Sequence, residues 1–241
     1  MKDKAGDGIV AQNANWTFAG DVANQFDDHV SKSVPMYREG HEIICGLSDF
    51  FINKDSVSYE LGCSTGSLTM KLADRIKDKP GARIVGIDIE AEMIEKADAK
   101  RADSGLANVS FIADDIFEVE FEPADFIVAY YTIQFVRPSI RQALIDKIYN
   151  ALRWGGCFVM FEKVRGPDAR FQDILTAMYS YDYKLSQGYD AEEIVSKARS
   201  LKGILEPFST QGNLDLLERA GFKDTMTIAK YICFEGFVAI K

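Results

Sequence analysis

The segment Ser56-Val-Ser-Tyr-Glu-Leu-Gly-Cys-Ser-Thr-Gly66 constrains this chain more than any other. A short alternating run ends near Glu60, a tight loop carrying Gly62 and Gly66 follows, and from Ser67 the pattern turns helical with Leu68, Leu72 and Ile76. Strand, glycine-containing turn, helix is how an open α/β sheet lays backbone against an adenosine-type cofactor. A carboxylate ahead of the loop would repel a phosphate but suits a cationic amino acid or a sulfonium. S-adenosylmethionine therefore fits better than a nicotinamide dinucleotide or ATP. The same pattern is also ordinary α/β connection chemistry, so the rest of the chain has to decide.

Past Lys79-Pro-Gly-Ala82, the run Arg83 to Asp88 reads as a second strand ending in a carboxylate, and 91–102 as a helix with Met93, Ile94 and Ala97 on its apolar stripe. Asn108 to Ile112 is a third strand, capped by Asp114 and Asp115. Asp125 to Tyr131 is a continuous apolar run, as a central parallel strand covered on both faces requires. Ile140, Leu144, Ile148 and Leu152 form a helical stripe ended by Gly155-Gly156, and Cys157 to Phe161 is a fifth strand. This alternation predicts an α/β, doubly wound, mostly parallel sheet. Residues 168–206 break the rhythm with two long helical patterns, one opened by a capping signal at Asp190 and Glu193. An insertion after the fifth strand should cover the carboxyl ends of the strands, where ligands bind. Strands at 225–232 and 234–240, joined by a turn around Glu235-Gly236, predict a closing antiparallel hairpin of methyltransferase type. Residues 16–53 read as helical with a break at Pro35, and 1–15 as a mobile terminus. The expectation is one domain over 16–241.

The 241 residues, 47% hydrophobic and 27% charged, suit that single domain. With 28 Lys and Arg against 37 Asp and Glu, the net charge is −9. A chain this acidic is a poor holder of nucleic acid, which needs clustered cations. An anionic substrate would need locally placed Arg or Lys. Four cysteines without a C-x-x-C pair and two histidines, His29 and His41, argue against a zinc site, and no metal is expected. Reduced thiols, no run of about 18 apolar residues and a charged N-terminus (Lys2, Asp3, Lys4, Asp7) point to a cytoplasmic protein without a membrane span.

Three carboxylates fall at three consecutive strand ends. Glu60 would sit near the amino-acid end of the cofactor, Asp88 at the ribose hydroxyls and Asp115 at the adenine amino group, with Ile116 packing on the ring. Taken singly, Asp88 serves equally well as a cap of helix 91–102, and Asp115 as a turn cap.

Glu60-Leu-Gly-Cys-Ser-Thr-Gly66 resembles the first motif of class I (Rossmann-like) S-adenosylmethionine-dependent methyltransferases, with Ser64 where a central glycine is usual. Trp16-Thr-Phe18, Ser33-Val-Pro-Met-Tyr37, Thr132-Ile-Gln-Phe135, Arg141 to Tyr149, Glu162-Lys163, Gly188-Tyr189 and Arg199-Ser200 narrow the resemblance to the carboxy-S-adenosylmethionine synthases, from about Trp16 to the C-terminus. The resemblance implies conversion of S-adenosylmethionine and prephenate into carboxy-S-adenosylmethionine and phenylpyruvate, a product used by a partner enzyme on a transfer-RNA wobble uridine. The sulfonium acidifies its methyl, which then attacks the carbon dioxide released as prephenate aromatises. The hydroxide released in the same step can serve as base, so no catalytic histidine is required.

By this resemblance Tyr37, Gly62, Cys63, Ser64, Asp88, Ile89, Asp115 and Ile116 contact the cofactor, alongside Glu60 and Gly66 of the first motif. Arg199 grips the added carboxylate, for which a guanidinium fork is well shaped, and a homodimer is implied. Two departures stand out. Tyr130 replaces an asparagine near the reacting centre, and the helical stretch after Met178 is one residue longer, through Tyr179-Ser-Tyr181. Tyr130, Tyr131, Tyr179, Tyr181, Tyr183 and Tyr189 could line an aromatic site, although helical spacing of aromatics also suits a core. A conventional small-molecule methyltransferase, favoured by Tyr130, and a non-catalytic cofactor-binding module remain as alternatives.

Overall fold

The computed structural model describes residues 14–18 and 21–241. The elements are α1 (Asp21–Ser33), α2 (Tyr37–Phe51), β1 (Val57–Leu61), α3 (Ser67–Ile76), β2 (Arg83–Asp88), α4 (Ala91–Ser104), β3 (Val109–Ala113) and β4 (Ala124–Tyr130). They continue with α5 (Arg141–Ala151), β5 (Leu152–Lys163), α6 (Ala169–Ala177), a π-helical turn (Met178–Tyr183), α7 (Lys184–Ser186), α8 (Ala191–Ser200), α9 (Thr210–Ala220), β6 (Asp224–Tyr231) and β7 (Phe234–Ile240).

All seven strands join one sheet in the order β3-β2-β1-β4-β5-β7-β6. The first five are parallel, and β7 runs antiparallel between β5 and β6. Chain order reverses between β1 and β4, the switch point beside which a crevice opens at the strands' carboxyl ends. Every residue of β1 is buried, and β4 is buried from Phe126 to Tyr130. Both faces of the sheet are covered, as the unbroken apolar runs require. One face packs with Leu144, Ile148 and Leu217 from α5 and α9, the other with Ile44, Leu68, Leu72 and Ile76 from α2 and α3.

The predicted doubly wound sheet, closing hairpin and helical 168–206 segment are all present. Several details differ. Residues 14–18 lie outside any helix, and Pro35 with Met36, which takes a left-handed φ of 54°, separates α1 from α2. Helix α5 ends at Ala151, and Gly155-Gly156 belongs to the long β5, where Gly155 donates to the Lys241 carbonyl. The final hairpin turns at Ile232-Cys233. Glu235 and Gly236 lie inside β7, paired with Glu162 and Phe161 of β5. Helix α9 was not anticipated, although Ser209 caps it and Gly221 closes it. The expected mobile stretch 1–15 falls, apart from residues 14 and 15, outside the described residues.

Within 168–206, Asp190 and Glu193 form the expected reciprocal capping box of α8. The stretch after Met178, which by resemblance is expected to be one residue longer, forms a π-helical turn. The turn buries Tyr179 and leaves Tyr181 63% exposed.

Candidate active site

Above the carboxyl ends of β1 to β5 lies a cavity of about 1000 Å³. Its floor is the loop between β1 and α3. Gly62 has φ +70°, and a Cβ there would lie 2.5 Å from Thr132, whose hydroxyl donates to the Leu61 carbonyl at 2.8 Å. Only glycine fits that approach. Ser64, in the place of the usual glycine, also takes a left-handed φ, of 51°. Its backbone N–H donates to Asp88 at 2.8 Å, and its hydroxyl contacts the Met93 sulfur at 3.4 Å. Tyr131, just past the end of β4, has φ 61°. Two non-glycine residues held in a sparsely populated conformation within one cavity is a pattern that clusters at functional sites.

The three strand-end carboxylates converge on this cavity, together with Tyr37, Gly62, Cys63, Ser64, Ile89, Ile116 and Tyr130. Asp88 accepts from Ser64 N–H through one oxygen and from Glu90 N–H, at 3.0 Å, through the other. The carboxylate keeps acceptor capacity for a ribose hydroxyl. Burial raises the Asp88 pKa against these bonds. Asp88 is thus not the α4 cap, which is Glu90 without side-chain capping. Asp115 accepts from Phe117 N–H at 2.9 Å, the turn role weighed for it, while still lining the cavity. Glu60 is fully enclosed and accepts the Thr69 hydroxyl, and burial pushes its pKa up to about 8. Burial also raises the Cys63 thiol far above its usual range, so that this cysteine is an inert wall. Gly66, with φ +74°, is the residue before α3; it is outside the cavity lining, packed under Phe111 and Ala97.

Tyr130 is 7% exposed, and its hydroxyl donates to the Tyr37 carbonyl at 2.6 Å. Gly40 on α2 makes room for Tyr130, whose ring lies across it. Of the six tyrosines considered, Tyr130, Tyr131 and Tyr179 line the cavity. Tyr189 is buried against Ser33 and His29, and Tyr181 is exposed.

Arg199 is not brought to this cavity. The α8 stripe that lines it is Ile194, Lys197 and Ala198, continued by Leu201, and Arg199 falls on the exposed side of that stripe.

Sequence reasoning missed two groups. Asp27 on α1 accepts from Thr65 (2.7 Å), Ser67 (3.1 Å) and Lys100 (2.8 Å), which fastens α1 over the loop. Lys163, Arg165, Lys184, Lys197 and Lys202 line the far end of the cavity. Only Lys163 had a sequence signal, through Glu162-Lys163. Asp27 is 38 or more residues from its partners, too far for any local pattern to join them.

A methyltransferase-domain family model matches residues 52–221. Carboxy-S-adenosyl-L-methionine synthase from Staphylococcus epidermidis is 36% identical over 227 residues, covering 94% of this chain and 97% of that one. The protein of the same name from Campylobacter jejuni subsp. doylei is 38% identical over 243 residues and covers all of both chains. This chain belongs to the carboxy-S-adenosyl-L-methionine synthase family. With that membership comes an S-adenosylmethionine-dependent transferase. Among solved structures, a phosphoethanolamine N-methyltransferase of Haemonchus contortus in complex with S-adenosylhomocysteine aligns with TM-score 0.65 at 16% identity, over 93% of this chain and 59% of that one. That likeness establishes the class I methyltransferase fold. Among the described residues no helix is long and apolar enough to cross a membrane.

Proposed function

We propose that this chain makes carboxy-S-adenosylmethionine from S-adenosylmethionine and a small anionic second substrate of the prephenate type, feeding a transfer-RNA-modifying partner. One observation carries the reading: the cavity is divided by charge. Glu60, Asp88 and Asp115 line it at the ends of β1, β2 and β3, and Lys163, Arg165 and Lys184 line it at the end of β5 and in the segment that follows. The sheet order puts β4 between the two sets. A sulfonium-bearing adenosine suits the acidic half, and an anion the basic half. The basic half calls for an anionic second molecule beside the cofactor.

In this reading Asp88 holds the ribose, Asp115 and Ile116 the adenine, and Glu60 supports the cationic amino-acid end. Ile89, 68% exposed at the cavity edge, supplies apolar surface beside the adenosine. The Gly62 to Ser64 backbone forms the floor, and Tyr37 and Tyr130 wall the reacting region. Tyr130 acts as a positioning residue, its hydroxyl already given to the Tyr37 carbonyl. A cavity of about 1000 Å³ is at the upper end of the range for ligand sites, room for a cofactor and a second molecule.

The protein is proposed to be a cytoplasmic homodimer. All four cysteines are buried free thiols, which suits a reducing compartment. Helix α6 buries none of its residues, and Phe171, Ile174, Met178, Tyr181 and Leu185 follow one another at helical spacing, each 43–63% exposed. Such an apolar stripe needs a covering partner. The carboxylate role assigned to Arg199 by resemblance then calls for a second copy, because in one protomer the residue stands outside the cavity.

Mass spectrometry of ligand released from freshly purified, denatured protein, followed by incubation with S-adenosylmethionine and prephenate, tests the reading. A product heavier than S-adenosylmethionine by one carboxyl group is expected. Recovery of only S-adenosylhomocysteine in the presence of methyl acceptors would overturn it in favour of methyl transfer.

A further inference from the structure

We propose that Lys163 and Lys184, both held on the ring of Tyr179, form the subsite that takes a carboxylate of the second substrate. The proposal rests on the reading that this substrate is an organic anion, and it names the residues that receive it.

The Nζ of Lys163 lies 4.5 Å from the centre of the Tyr179 ring, and that of Lys184 lies 5.1 Å from it. The ring itself is fixed. Its hydroxyl donates to the Ser33 carbonyl at 2.7 Å, and it packs edge-on against Phe234 with centres 5.0 Å apart. Two ammonium groups on one immobile ring repel each other, and each has given up much of its hydration. Lys184 is 5% exposed, yet its side chain faces the cavity. Among the described residues neither ammonium has a carboxylate in hydrogen-bond or ion-pair reach; the groups acting on Lys163 are the Cys233 thiol and Lys202, and those acting on Lys184 are Lys163 and the Cys233 thiol.

Contact with an aromatic face offsets part of the desolvation of a cation but does not neutralise it. A buried charge is ordinarily paired. The contrast with other cations in the chain is clear: Lys71, Arg75, Lys100 and Arg153 each meet a carboxylate within 3.0 Å. Here the missing counter-charge has a place to arrive from, because Lys163, Tyr179 and Lys184 all face the cavity. Burial, and then the charge of Lys163, push the Lys184 pKa down to about 7, so an arriving carboxylate would hold its proton in place. Ser180 on the same stretch offers a hydroxyl to the remaining oxygens, whereas the Thr176 hydroxyl is already given to the Gln172 carbonyl at 2.8 Å. The π-helical turn has Tyr179 facing inward, with Lys184 just after it against the same ring.

The test is calorimetric titration of phenylpyruvate into the full-length protein saturated with S-adenosylhomocysteine. Lys184→Met and Lys163→Met should each weaken phenylpyruvate by about tenfold or more, the usual size of a lost charge-assisted contact. Binding of S-adenosylhomocysteine should be unchanged, and Lys184→Arg should keep most of the affinity. Equal phenylpyruvate affinity in wild type and Lys184→Met would overturn the subsite while leaving the anionic-substrate reading intact. Failure of the wild type to bind phenylpyruvate, with S-adenosylhomocysteine still bound, would sink that reading and the subsite with it. A second readout is independent of variant folding: in wild-type protein with ¹³C-labelled lysines, phenylpyruvate should raise the pH midpoint of the Lys184 side-chain resonance, and an unmoved midpoint at saturation would also overturn the subsite.

Discussion

The hydroxyl of Tyr130 occupies the space that a side chain on Gly40 would need, and a Cβ built on Gly40 would lie 2.1 Å from that oxygen. Strand β4 and helix α2 therefore depend on one another at the wall of the cavity. Gly40→Ala should raise helix propensity in α2 by about 1 kcal/mol yet lose about 1–3 kcal/mol to overpacking. The expected net is a modest loss of stability in urea unfolding. In a Tyr130→Asn background the same alanine should be neutral or stabilising. Additive effects of the two substitutions would show that the contact is not energetically coupled.

Glu60 gives a pH signature. Its folded pKa, about 8, is raised above the model-peptide value of 4.5, so the folded state holds a proton that the unfolded state has released. Stability therefore falls as pH rises from about 4.5 to about 8, at up to ~1.4 kcal/mol per unit for one such group. Glu162, also pushed up to about 8 by burial, adds a slope of the same sign. Cofactor binding should run the other way. If the ionised Glu60 supports the cationic end of S-adenosylmethionine, affinity should climb between pH 6 and 7.5, by at most about tenfold per unit. Glu60→Gln should flatten that climb in a calorimetric pH series; an unchanged slope would remove Glu60 from the cofactor's charge balance.

Asp27 should act as a latch. Burial alone would raise its pKa, but hydrogen bonds from Lys100, Thr65 and Ser67 hold it below the usual carboxylate value. Asp27→Ala frees α1 from the loop that floors the cavity. Because Asp27 and Lys100 are partly solvated, the stability cost should be only about 1 kcal/mol. The larger effect should be faster amide exchange across residues 25–33 and weaker S-adenosylmethionine binding. Unchanged exchange in α1 would show that the helix is held by Trp16, Phe18 and Phe26 instead.

Local chemistry explains which parts of the molecule were readable from sequence. The loop at 60–66, the carboxylates at Asp88 and Asp115 and the capping box at Asp190 and Glu193 lie within a few residues of the elements they control, so spacing reveals them. The sequence predicts the hairpin but centres its turn on Glu235-Gly236, whereas Ile232 adopts φ 52° in a two-residue connection with Cys233. Gly236 is kept instead for the Phe161 ring, 2.5 Å from where its Cβ would be. The position of Arg199 depends on the phase of α8 against the cavity. The pairing of Lys163 with Lys184 depends on how the π-helical turn folds back over β5. Both follow from tertiary packing, which leaves no trace in local periodicity.

The same turn sets the last prediction. Helix α6 and the π-helical turn present Phe171, Ile174, Met178, Tyr181 and Leu185 along one exposed line, while Tyr179 and Lys184 on the opposite side are buried. Covering that line with a second copy would remove apolar surface from water at about 25 cal/mol per Å². Ile174→Glu combined with Tyr181→Glu should therefore turn a dimer into a monomer in sedimentation velocity, with little change in protomer stability, since neither side chain packs into the core of one protomer. If Arg199 completes the site of a second copy, the monomer should bind S-adenosylhomocysteine normally but lose affinity for carboxy-S-adenosylmethionine by about tenfold or more, as for a lost charge-assisted contact. A monomer that keeps full preference for the carboxylated ligand would show that Arg199 is not the residue that grips it.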